Sequence, residues 1–85
     1  MATILIVDDE ESVARTVAHL LRKIGHTPIV AGNGAAALQA AWAHPDLILL
    51  DLGLPDLPGE EVLRRLKAQP ETAQIPVVVV SGQPD

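Results

Sequence analysis

The chain has 85 residues, 48% of them hydrophobic but only one aromatic, no cysteine, and a formal charge of -5. That length holds one small domain, residues 1–85, with a core of Leu, Val, Ile and Ala, and the acidic balance argues against direct binding to nucleic acid or to an anionic membrane surface, each of which needs a basic patch. With no cysteine there is no disulfide framework, thiolate zinc site or cysteine nucleophile, which suits a cytoplasmic setting, and the N-terminal residues predict neither a leader nor a membrane span.

Thr3 to Val7 is a β-branched and aliphatic run that stops at Asp8-Asp9-Glu10, a first buried strand ending in acids. From Glu11, apolar residues recur at Val13, Val17, Leu20, Leu21 and Ile24, one face of a helix. Arg22 and Lys23 suit its C-terminal dipole and Gly25 stops it. Thr27 to Ala31 is a second strand, Gly32-Asn33-Gly34 a turn, and Ala35 to Ala43 a helix of small residues carrying Leu38 and Trp42, the latter expected to be partial core.

Pro45 and Asp46 punctuate the chain before Leu47 to Leu50, an unbroken apolar run that Asp51 closes with a carboxylate. So short and apolar a run predicts a parallel strand buried on both faces, with Asp51 at its exit where water, a metal or a cation can solvate it. Gly53, Pro55, Pro58 and Gly59 then keep the chain irregular until Glu60. Glu60 to Ala68 is a third helix with Val62, Leu63 and Leu66 inward and two outward pairs, Glu60 with Arg64 and Glu61 with Arg65. Gln69 to Gln74 reads as a loop, and Pro76 to Val80 as a fourth buried strand ended by Ser81-Gly82. His19, His26 and His44 show no ligand spacing and read as solvated surface groups.

Strands alternating with helices predict right-handed βαβ units and an α/β, doubly wound parallel sheet. In such sheets the first and third strands are commonly neighbours, and ligands bind beyond their carboxyl ends. Asp8, Asp9 and Asp51 would then converge. Three like charges in one cleft call for a compensating cation or for protonation, and a hard divalent ion with oxygen ligands, Mg²⁺ most simply, satisfies them. A carboxylate can also attack phosphorus to give an aspartyl phosphate, with Ser81 placed to donate a hydrogen bond to the transferred group.

With these residues assembled, the chain resembles the receiver domains of two-component response regulators. The resemblance rests on Asp8-Asp9-Glu10, on Gly34-Ala35-Ala36-Ala37-Leu38, on Pro45 to Asp51, on Leu54-Pro55, on Gly59 and on Val77 to Gly82. It implies a flavodoxin-like fold with strand order 2-1-3-4 and a phosphoacceptor rather than an enzyme. It also implies that Asp51 accepts a phosphoryl group from a histidine kinase or phosphotransfer protein, and that Asp9 and Asp51 bind Mg²⁺ directly. Asp8 would act mainly through water, the Gly53 carbonyl would be a further ligand, and Ser81 would be the hydroxyl that follows the phosphate. Leu54 replaces the usual Met, a mild apolar swap. The family pattern continues into a fifth strand ending in a Lys that pairs with the phosphoryl group, and into two more helices. The chain is therefore expected to be a receiver fold truncated after the fourth strand, with the usual switch impaired and neither Lys23 nor Lys67 placed to substitute.

Two other classes compete. Gly32 to Ala37 fits G-x-G-x-x-A after a strand, with Asp51 about twenty residues on, as a small dinucleotide-binding module requires. A Mg²⁺-dependent phosphohydrolase would use the same acids, but Asp8-Asp9-Glu10 does not supply the D-x-D that aspartate-nucleophile hydrolases carry. The open, valine-rich fourth strand and the sheet face with only the first helix to cover it predict a homodimer, or a partner or missing segment covering strand four.

Overall fold

The computed structural model describes residues 1–80; Ser81, and with it the expectation of a phosphate-sensing hydroxyl, lies outside the described residues. The elements run β1 (Thr3–Val7), α1 (Glu11–Lys23), β2 (Thr27–Ala31), α2 (Gly34–Ala41), β3 (Leu47–Asp51), α3 (Gly59–Ala68), α4 (Pro70–Ala73) and β4 (Val77–Val80). All pairings are parallel and the order is β2-β1-β3-β4, as predicted.

Two interactions at the start of the sheet fix the register that matters. Asp46 donates its backbone N–H to the Thr3 carbonyl at 2.7 Å and accepts the Thr3 N–H on its carboxylate at 2.8 Å. Ile4 therefore pairs with Leu47, and the register runs on to Val7 opposite Leu50. The next residues along the two strands are Asp8 and Asp51.

Alternate side chains of the sheet enter two separate cores. On one side Leu5, Val7, Ala31, Ile48 and Leu50 pack against Ala37 and Ala41 of α2 and Val62 and Leu66 of α3, with Ile75 beside them. On the other, Ile6 packs against Ala14 and Ala18 of α1, with Val17, Leu21 and Leu49 partly buried around them. The expected inward face of α1 is thus rotated: Val13, Leu20 and Ile24 are exposed. The cause is the two alanines. They let the helix axis come close to the sheet, and the buried stripe runs Ala14, Val17, Ala18, Leu21 at helical spacing. Gly25 follows the α1 C-cap at a φ of 93°, a conformation that favours glycine.

Three further differences have local causes. The 69–74 segment contains the short helix α4, begun by Pro70 and anchored where the buried Thr72 Oγ1 donates to the Leu66 carbonyl at 2.6 Å. β4 is an edge strand, and Val78, Val79 and Val80 stand 48%, 42% and 52% exposed rather than buried. On α3, Glu61 binds both Arg64 at 2.5 Å and Arg65 at 2.7 Å, so the three share one network in place of the expected Glu60–Arg64 pair.

Candidate functional site

β1 and β3 end side by side and each delivers carboxylates to the same edge. One carboxylate oxygen from each of Asp8, Asp9 and Asp51 lies within 4.8 Å of the others. Asp8 and Asp51 are half-buried and Asp9 is exposed, so the group opens to solvent. The chain turns immediately after each strand and uses the acids to do so. Asp8 accepts the Glu10 N–H at 2.9 Å, which carries the backbone into α1, and Asp51 accepts the Gly53 N–H at 3.3 Å.

These donors fit a small, hard cation. Ligand oxygens on one octahedral Mg²⁺, bonded at about 2.0–2.1 Å, stand about 2.9 Å apart when adjacent and about 4.2 Å apart when opposite. The oxygens lie within 4.8 Å of one another, at most about 0.6 Å beyond the larger value, a gap that side-chain rotation or one carboxylate acting through water would close. Gly53 leaves open space beside the site: a Cβ there would lie 4.0 Å from both Asp51 carboxylate oxygens. A hollow of about 70 Å³ adjoins the acids, with Asp8 and Asp51 at its rim and Ile6, Leu49, Val13, Val17 and Val80 among its apolar walls.

The loop from Leu52 to Pro58 is tied to a second element by a residue whose role the sequence did not reveal. Asp56 accepts the Gly34 N–H at 2.7 Å and the Ala35 N–H at 3.0 Å, the first two amides of α2. Those bonds, Gly34 foremost, hold its carboxyl below the ordinary carboxylate range. Asn33 caps the same helix independently, accepting the Ala36 N–H at 2.8 Å. The partners of Asp56 lie over twenty residues away, so no local spacing signals them. They also dispose of the dinucleotide reading, because the amides that would cradle a pyrophosphate already hold a carboxylate.

Elsewhere, Trp42 is 51% exposed rather than partial core, and lines a cavity of about 370 Å³ with Leu38, Arg64 and Arg65. Lys67 donates to the carbonyls of Ala73 and Ile75 at 3.1 and 3.2 Å, next to the start of β4 and away from the acids. His26 is half-buried, its Nδ1 accepting the Ala2 N–H at 3.1 Å, which differs from a purely solvated histidine.

Comparison with known proteins decides between the remaining classes. The family model described as "Response regulator receiver domain" matches residues 4–85. The chain belongs to the response regulator receiver family. It is 41% identical over 86 residues to the transcriptional regulatory protein KdpE of Mycobacterium tuberculosis, which covers all of this chain and 37% of KdpE. The chain thus spans just over a third of the length of that relative. Among solved structures, the N-terminal domain of a response regulator receiver protein from Methanoculleus marisnigri superposes with a TM-score of 0.94 at 37% identity, covering 100% of this chain and 70% of that one. The chemotaxis response regulator CheY4 of Vibrio cholerae gives 0.93 at 29% identity, covering 100% and 72%. Membership accounts for the parallel sheet in order 2-1-3-4 and favours a two-component role over a hydrolase. Among the described residues no helix is long and apolar enough to cross a membrane.

Proposed function

We propose that this receiver domain accepts a phosphoryl group on Asp51, taken from a histidine kinase or phosphotransfer protein, with Mg²⁺ held by Asp8, Asp9, Asp51 and the Gly53 carbonyl. The observation that carries the reading is the convergence of one oxygen from each of three aspartates on a common point at the strand ends. Three carboxylates so close repel one another, and a divalent cation offsets that repulsion. When bound, Mg²⁺ supplies neutralisation of charge on the group in transfer.

The chain's own residues do the rest. The Gly53 N–H holds one Asp51 oxygen and leaves the other to attack phosphorus. The P–N bond of a phosphohistidine donor breaks, the imidazole nitrogen keeps the electron pair and takes a proton, and an acyl phosphate remains on Asp51. The acid at a strand end, solvent-facing but walled on one side by Leu49 and Val80, is open to a partner's side chain. No turnover of free phosphoesters is assigned: the chain is a substrate for its partner, not an enzyme. The cysteine-free composition suits a cytoplasmic setting for this exchange.

Further, we infer that a second copy pairs along β4, whose half-exposed valines form the edge of the sheet among the described residues, or covers the sheet face that carries only α1.

Intact-mass measurement after incubation with acetyl phosphate and Mg²⁺ tests the acceptor. The wild-type chain gains one phosphoryl mass, dependent on Mg²⁺, and Asp51→Asn gains none. A gain that persists in Asp51→Asn removes Asp51 from its role.

A further inference from the structure

Between Asp51 and α3 the chain runs through seven irregular residues, Leu52 to Pro58, and the Gly53 carbonyl assigned above to the cation lies in that run. A backbone carbonyl is a useful ligand only if its loop is held, because every conformation the loop samples away from the bound one weakens binding in proportion. The run is closed at its base, where the Gly59 N–H donates to the Leu52 carbonyl at 3.2 Å. At its start the Gly53 N–H reaches back to Asp51. Its middle is held by Asp56. One Asp56 oxygen accepts both the Gly34 N–H at 2.7 Å and the Leu57 N–H at 2.9 Å, and the other accepts the Ala35 N–H at 3.0 Å. Among the described residues no other side chain of the run hydrogen-bonds to a different element. The clamp lands on firm ground: Gly34 is buried, and a Cβ there would sit 3.0 Å from Leu57 and Val62 side-chain atoms.

We propose that Asp56 is a positioning residue for cation binding at the acidic cluster: by clamping the Leu52 to Pro58 run onto the start of α2, it holds the Gly53 carbonyl where Asp8, Asp9 and Asp51 converge. The inference rests on the cation reading proposed above. It separates two roles that coincide in space. As a mere helix cap, Asp56 would serve α2 alone, and its loss would resemble the loss of Asn33, which caps α2 through Ala36 but makes no hydrogen bond to the loop. As a clamp, Asp56 serves the loop, and its loss reaches the cation while the loss of Asn33 does not.

The test is a Mg²⁺ titration of the full chain, followed by amide chemical shifts and by calorimetry, for wild type, Asp56→Ala, Asp56→Asn, Asn33→Ala and Asp51→Asn. Asp56→Ala is expected to weaken Mg²⁺ binding about tenfold, near the low end for loss of an outer-shell partner, while Asn33→Ala stays within about twofold of wild type. Asp56→Asn keeps one acceptor oxygen and falls between them. It also carries the comparison if circular dichroism shows Asp56→Ala unfolded. Equal weakening by Asn33→Ala and Asp56→Ala overturns the clamp in favour of simple capping. So does wild-type affinity in Asp56→Ala when Asp51→Asn has lost binding, and then the clamp alone fails. A wild-type chain that binds no Mg²⁺ overturns the cation reading and the clamp together.

Discussion

Replacing Gly59 by alanine probes how closely α3 is seated on the acceptor strand. A Cβ at that position would lie 2.6 Å from the Leu52 Cα, 2.6 Å from Leu52 Cδ2 and 3.1 Å from the Asp51 carbonyl oxygen. Carbon atoms rest at about 3.5–4.0 Å, so the two segments must part by about 1 Å. Leu52 can swing its Cδ2 aside, but its Cα moves only with the backbone that also carries Asp51. Overpacking of this kind costs about 1–3 kcal/mol. Alanine's better helix propensity offsets less than about 1 kcal/mol, since Gly59 stands at the first position of α3 rather than in its interior. The net loss is about 1–2 kcal/mol, a fall in Tm of roughly 4–16 °C for a chain of this size. Urea unfolding followed by far-UV circular dichroism measures it directly. A Gly59→Ala chain as stable as wild type, or more so, would refute the close seating.

Glu61 gives a pH prediction with a definite sign. Arg64 and Arg65, hydrogen-bonded to it, lower its pKa from the ordinary 4.5 to about 2. A depressed carboxylate pKa stabilises the folded chain above the unfolded value and loses that contribution as pH falls from about 4.5 toward 2. The stability gap between wild type and Glu61→Gln should therefore narrow across that window in a denaturation series; a gap independent of pH sinks the assignment. For the β4 edge, light scattering at high micromolar concentration should show a dimer, and Val78→Lys, placing charge on a side chain already 48% exposed, should return it to monomer without loss of folding. A wild-type chain that is monodisperse as a monomer contradicts the pairing.

The sequence disclosed the sheet more fully than the surfaces of its helices. Unbroken apolar runs ending in Asp8 and Asp51 located β1 and β3, and their position at the strand ends gave the acidic cluster, because a buried parallel strand can hold a carboxylate only at its exit. That β1 and β3 are neighbours followed from the same doubly wound logic, while the full order 2-1-3-4 came from the family resemblance. Helix faces were less legible. Counting large apolar residues in α1 pointed to Leu20 and Ile24, whereas close approach to the sheet selects Ala14 and Ala18, whose small size is their contribution. α4 was missed because its four residues carry no apolar period, and its anchor is the Thr72 hydroxyl reaching back to α3. The clamp at Asp56 and the clasp between Asp46 and Thr3 join residues 21 to 43 positions apart, and each looks like ordinary turn chemistry in the sequence.

A cation shared by the ends of β1 and β3 is read most directly by paramagnetic broadening with Mn²⁺, a spectroscopic substitute for Mg²⁺. Amide resonances of Asp8, Asp9, Asp51 and Gly53 should broaden together at substoichiometric Mn²⁺ and recover on addition of excess Mg²⁺. Broadening confined to one of the two segments, or centred on another acidic stretch such as Glu10 and Glu11, would contradict it.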